Sequence, residues 1–151
     1  MKNKGFTMLE LLATIIILGI LTSLAYMGVS RYLNQARNAT YEDFELNITS
    51  GVTNYLIDHS GSIPSEGESL IVDVSKLVCE GYINSLEDPN ESTKTCNLGS
   101  YAIVTRNKDT GYNMDIDYEA CLKCAGYTSP ACSKSITGIK RLTKDANCEV
   151  E

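Results

Sequence analysis

Two sets of residues in this chain could carry chemistry. The first is one carboxylate, Glu10, the only formal charge in the 24 residues from Phe6 to Val29. An acidic side chain at bilayer depth costs on the order of 2–3 kcal/mol on insertion scales, so Glu10 needs a cation that its own segment does not supply. The second is six cysteines, Cys79, Cys96, Cys121, Cys124, Cys132 and Cys148, all in the C-terminal half. That number suits an oxidising compartment. The single histidine, His59, excludes a metal site built from two or more histidines of one chain and leaves few routes to acid–base catalysis. The chain therefore reads as non-enzymatic, with no catalytic residue, no resident metal and no cofactor.

These residues sit on two kinds of element. Phe6–Val29 is apolar apart from Glu10, and as a helix rising ~1.5 Å per residue it spans ~36 Å, enough to cross a hydrocarbon core of ~30 Å. Lys2 and Lys4 give it a basic start, and Ser23-Leu24-Ala25 has the small-x-small form of a secretory cleavage site. A cleaved secretory signal has no use for Glu10, and a plain anchor gains nothing from it. The formal charge of −6 over 151 residues, with 13 Lys+Arg against 19 Asp+Glu, argues against direct nucleic-acid binding.

The run Gly5-Phe6-Thr7-Met8-Leu9-Glu10, behind a short basic leader and ahead of about twenty apolar residues, resembles the class III signal of type IV pilins and pseudopilins. The resemblance implies a prepilin peptidase that cuts between Gly5 and Phe6, releases residues 1–5 as a leader and methylates Phe6. It also implies that Glu10 pairs with the N-terminal ammonium of Phe6 in a neighbouring subunit. The pairing is physically sensible, because two charges that are costly alone in lipid are less costly together. Many family members carry a helix-kinking proline where Met27 stands, and here no proline precedes Pro64.

Beyond Val29 the pattern turns amphipathic. Tyr41, Phe44, Ile48, Val52, Tyr55 and Leu56 line one helical face, while Arg37, Glu42, Asp43, Glu45 and Asn47 occupy the other. One helix from about Phe6 to about Asp58 is expected, with residues 6–29 in membrane or filament core and residues 30–58 as its amphipathic continuation. Gly51 reads as a tolerated weak point in it. His59 falls at the helix C-terminus, where a partial positive charge complements the helix dipole. Residues 59–151 form a cysteine-rich globular head. Within it Asp73 can cap a short helix that Gly81 ends. Tyr101–Arg106 and the alternating Tyr112, Met114, Ile116, Tyr118 predict a hairpin, with a third strand from Ala120–Cys124 or Ile136–Leu142. The expected class is α+β: a long N-terminal helix packed against a small antiparallel sheet, the ladle shape that the resemblance implies.

The acidic row Asp115, Asp117 and Glu119, with Asp109 in the turn, is read as a solvated strand face rather than a calcium site, since no EF-hand pattern is present. Six cysteines allow 15 pairings. Cys79–Cys96 suggests itself as a local closure, with the other four pairing among themselves. A zinc site from Cys121, Cys124, Cys132 and Cys148 would have one C-x-x-C and no second, a poor zinc signal, and Cys121-x-x-Cys124 lacks the βαβ setting of a redox motif.

The reading that results is a structural subunit of a type IV pilus or pseudopilus, serving adhesion, motility, secretion or DNA uptake. By resemblance its partners are other copies of itself and sister pilins, a prepilin peptidase, a platform membrane protein and an assembly ATPase, with membrane lipid around the helix before assembly. Its location would be the cytoplasmic membrane, single-pass with the head extracytoplasmic, and then a surface pilus or pseudopilus. The alternative is a membrane-anchored monomeric binding module with a disulfide- or zinc-stabilised head.

Overall fold

In the computed structural model, which describes residues 6–108, 114–134, 139–146 and 148, the first element is helix α1, Met8–Asp58, 51 residues long. It starts two residues later than the apolar run because Thr7 occupies the position before its first turn. Contacts divide the chain between Asn38 and Ala39 into two compact units. In the first, the apolar side chains from Leu11 to Leu21 are all 56–60% exposed. No described residue covers any side of this stretch, which is long and apolar enough to cross a bilayer. A helix apolar all round is stable only in lipid or among other helices.

The second unit is built on the other half of α1. Tyr41, Ile48, Val52, Tyr55 and Leu56 are all buried, as their spacing requires. Against them lies a four-stranded sheet of order β3-β2-β1-β4, made of β1 (Ser69–Asp73), β2 (Tyr101–Arg106), β3 (Ile116–Cys121) and β4 (Ile139–Leu142). Leu70, Val72, Ala102, Val104 and Ala120 point into one core with the α1 stripe, and Val74, Leu77, Ile83, Leu86 and Leu122 close it. The class is α+β, as expected. The β2–β3 pair is antiparallel, with Tyr101 opposite Cys121 and Arg106 opposite Ile116. The turn residues 109–111 and Tyr112 lie outside the described residues, and Met114 stands before the strand, half exposed.

One pairing corrects the expected all-antiparallel sheet. Strand β1 pairs antiparallel with β2, and β4, which falls within the Ile136–Leu142 candidate, runs parallel to β1, so the sheet is mixed. These two strands are far apart in sequence, and no hairpin dictates their relative direction. Strand β1 itself carries no alternation, because Ile71, on the face away from α1, is buried like its neighbours Leu70 and Val72.

Helix α2 (Val74–Cys79) ends as Gly81 predicts: Gly81 adopts φ 78°, the Tyr82 N–H donates to the Leu77 carbonyl at 2.9 Å and the Gly81 N–H to Val78 at 3.1 Å. This is the Schellman arrangement that a left-handed glycine permits. Its start differs from expectation. Asp73 holds the N-cap position without a side-chain capping bond, and its carboxylate instead pairs with Arg141 at 2.7 Å across the sheet.

Gly51 is a close-packing site rather than a weak point. A Cβ built there would lie 2.2 Å from Ile83 Cγ2, so the absent side chain is what lets the α2–β2 connection approach α1. Gly51→Ala would gain up to about 1 kcal/mol of helix propensity and lose about 1–3 kcal/mol to overpacking. Net destabilisation is expected in urea unfolding of the detergent-solubilised chain, and Ile83→Ala in the same chain should reduce the penalty that Gly51→Ala adds.

Candidate functional site

The N-terminal site is built by the first turn of α1. Phe6 is 76% exposed, and Gly5 with the rest of the leader lies outside the described residues. Thr7 stands where an N-cap stands. Its hydroxyl oxygen accepts the Glu10 N–H at 3.3 Å, and the hydroxyl donates to Glu10 Oε2 at 3.4 Å. The Thr-x-x-Glu spacing is a capping-box signature that the sequence already carried, and a carboxylate in the first turn is favoured by the helix dipole. Among the described residues no cation stands at Glu10. The described local partners orient the carboxylate, and none of them is a cation.

In the head, the structure joins the six cysteines as Cys79–Cys148, Cys96–Cys124 and Cys121–Cys132. The expected local closure of Cys79 on Cys96 is therefore corrected. Cys79 lies at the end of α2, and its partner comes from a segment 69 residues away. The four cysteines of the zinc reading are divided among three different bridges. Their sulfurs are spent in covalent bonds and do not form one thiolate set.

Sequence reasoning missed Asp88. This carboxylate is 1% exposed, and its two oxygens accept the Tyr41 hydroxyl at 3.1 Å, the Asn90 N–H at 2.8 Å and the Ala125 N–H at 2.7 Å. The Asn90 side-chain amide donates in turn to the Tyr41 hydroxyl at 2.8 Å, and the Tyr41 ring stacks on Tyr127 with centroids 4.3 Å apart. Asp88 thus ties α1, the 86–97 loop and the 122–129 loop to one point. The Cys96–Cys124 bridge joins the same two loops, its sulfurs within 4.8 Å of the carboxylate. Burial alone raises the Asp88 pKa, but the N–H donors of Asn90 and Ala125 and the Tyr41 hydroxyl outweigh it and hold the carboxyl below its ordinary value. Tyr127 is pushed up to about 12 by burial and by its hydrogen bond to Glu45.

The remaining charged candidates are structural. Asp115 and Asp117 accept from the Asn107 side-chain amide at 3.3 and 2.8 Å, and Glu119 pairs with Lys134. Asp109 lies outside the described residues. His59 stacks on Tyr55 at 4.4 Å, with Nδ1 3.1 Å from the Tyr55 carbonyl, at the C-terminal end of α1.

Residues 1–26 match the family described as the prokaryotic N-terminal methylation motif. The chain is also similar to the ComG operon protein 3 homolog of Bacillus licheniformis, with 29% identity over 91 residues that make up 60% of this chain and 86% of the relative. No solved structure matches it. The N-terminal segment thus carries the prokaryotic N-terminal methylation motif, and the apolar helix and the disulfide-bonded head follow it.

Because the folded Asp88 carboxyl titrates below its ordinary value of 3.8, its stabilisation is complete above that value and is lost as the pH falls below it through the folded-state value. Asp88→Asn should cost about 1–3 kcal/mol at neutral pH, since an amide cannot accept from every donor aimed at it. Urea unfolding between pH 7 and pH 2 should show this loss, and the acid-induced decline should be shallower in the variant than in the parent.

Proposed function

We propose that this chain, which carries the pilin-type N-terminal methylation motif, is a structural subunit of a pilus or pseudopilus and performs no catalysis. The observation that carries the reading is Glu10: a carboxylate with no cation beside it among the described residues, at the start of a helical stretch that is apolar and that no described residue covers. In lipid or in a bundle of like helices such a charge is tolerable only if a cation from outside the chain meets it. Cleavage between Gly5 and Phe6 creates a suitable one, the ammonium at Phe6. Pairing it with Glu10 of the next copy also fixes how far one subunit is displaced along the next.

Such a filament serves adhesion, motility, secretion or DNA uptake. The ComG operon relative favours the competence, or DNA-uptake, pseudopilus. In this reading a prepilin peptidase matures the chain, and a platform membrane protein with its assembly ATPase extracts it from the membrane. The head is extracytoplasmic, where an oxidising setting keeps its three disulfides closed. Heterologous contacts between identical subunits then build an open helical filament rather than a closed ring.

Intact mass and N-terminal peptide mapping of the protein from its native cells test the processing step. A chain that begins at N-methylated Phe6 is expected, and one that begins at Met1 or Tyr26 overturns the proposal. Glu10→Leu tests assembly: the variant should still be cut but should lose filament formation. A monomeric anchored module would tolerate or even prefer the change, so unaltered behaviour of the variant would favour that alternative.

A further inference from the structure

The head carries an open groove of about 640 Å³ between α1 and the loop after β3. Glu42, Glu45, Leu46 and Thr49 form one wall, and Tyr118, Ala120, Pro130 and Ala131 face them. Leu46 is 66% exposed, an apolar side chain that the head itself does not cover. The rim is acidic. Glu119 is neutralised by Lys134, whereas Glu42 and Glu45 have no ion-pair partner among the described residues. An occupant of this groove must supply an apolar ridge and at least one cation.

One segment of the same sequence has that composition. Between Glu10 and Glu42 the only charged residues are Arg31 and Arg37, so residues 26–37 are basic without any acid. Tyr26, Val29 and Leu33 fall at i, i+3 and i+7, with Arg37 one further turn on, and together with Ser30 and Asn34 they outline one face of the helix. Tyr26 is 77%, Val29 55% and Leu33 48% exposed. The apolar residues before Tyr26 provide the ridge but no cation, and buried carboxylates at the rim would remain unpaired against them.

We propose that the groove beside Leu46 is the seat for residues 26–37 of a second copy of this chain, with Arg37 of that copy, on the same helical face as Tyr26, Val29 and Leu33, meeting Glu42 and Glu45. This inference rests on the filament reading above and names the contact by which a head holds its neighbour's helix. It is a helix-in-groove contact with charges that set polarity. It also disfavours copies aligned without displacement, since that arrangement sets Arg31 and Arg37 against their own counterparts and Glu42 and Glu45 against theirs.

The test is a photo-cross-linking amino acid placed at Leu46 of the full-length chain in its native cells, with the linked peptides mapped by mass spectrometry. A cross-link from position 46 to residues 26–37 of a second copy is the expected result. It should be lost when Glu42→Arg is introduced, and should return when Arg37→Glu is added to the same chain. A matured, assembled chain whose position 46 links elsewhere, or to nothing, overturns this contact and leaves the filament reading standing. A chain that is neither matured at Phe6 nor assembled overturns the filament reading itself, and this contact with it.

Discussion

The stripe Tyr41, Ile48, Val52, Tyr55 and Leu56 is the surface on which the head is assembled. Each strand of the sheet that has a core-facing residue directs it toward that stripe, and α2 with the connection after it closes the open end. A head of this size has a limited core, and burial of about 1.5–3 kcal/mol per large apolar side chain must offset the ordering of long irregular loops. Three additions complete it: the missing side chain at Gly51, which permits close approach, the Asp88 tie and the disulfides.

The disulfides and Asp88 work on the same problem. The segments 80–100 and 122–134 contain little regular structure, so ladders of backbone hydrogen bonds do not hold them. Cys96–Cys124 joins these segments covalently, Cys121–Cys132 closes a short loop within the second, and Cys79–Cys148 returns a late segment to α2. By loop-closure entropy such bridges contribute about 3–4 kcal/mol each, more for the longer loop. Asp88 supplies the polar counterpart. It satisfies N–H groups from two loops and a tyrosine hydroxyl of α1 with one buried carboxylate, an arrangement that stabilises only because every oxygen is used.

The other half of α1 answers to a different environment. Among the described residues its exposed leucines and isoleucines have no partner, and Glu10 has a hydroxyl but no cation. Monomeric soluble proteins rarely present such a surface. In the proposed function the chemistry that completes it lies outside the single chain, in lipid first and then in other helices. The head is stabilised by contacts it makes with itself, whereas the N-terminal stretch, on that proposal, is stabilised by contacts with other molecules.

Sequence alone determined what depends on local pattern and on transfer energy. The apolar run with its one carboxylate, the N-terminal methylation motif, the helical stripe from Tyr41 to Leu56 and the β2–β3 pair are all written in short windows, because periodicity and burial cost are properties of neighbouring residues. Tertiary structure decided what depends on distant partners. Cys79 pairs with Cys148 rather than with Cys96, β4 runs parallel to β1, Asp73 turns from capping α2 to meet Arg141, and Asp88 becomes the buried tie between two loops and α1. None of these has a signal at fixed spacing, since each joins groups that only the folded chain brings within reach. Gly51 shows the limit most plainly: propensity marks it as a defect in a helix, and only the position of Ile83 shows that the helix needs it.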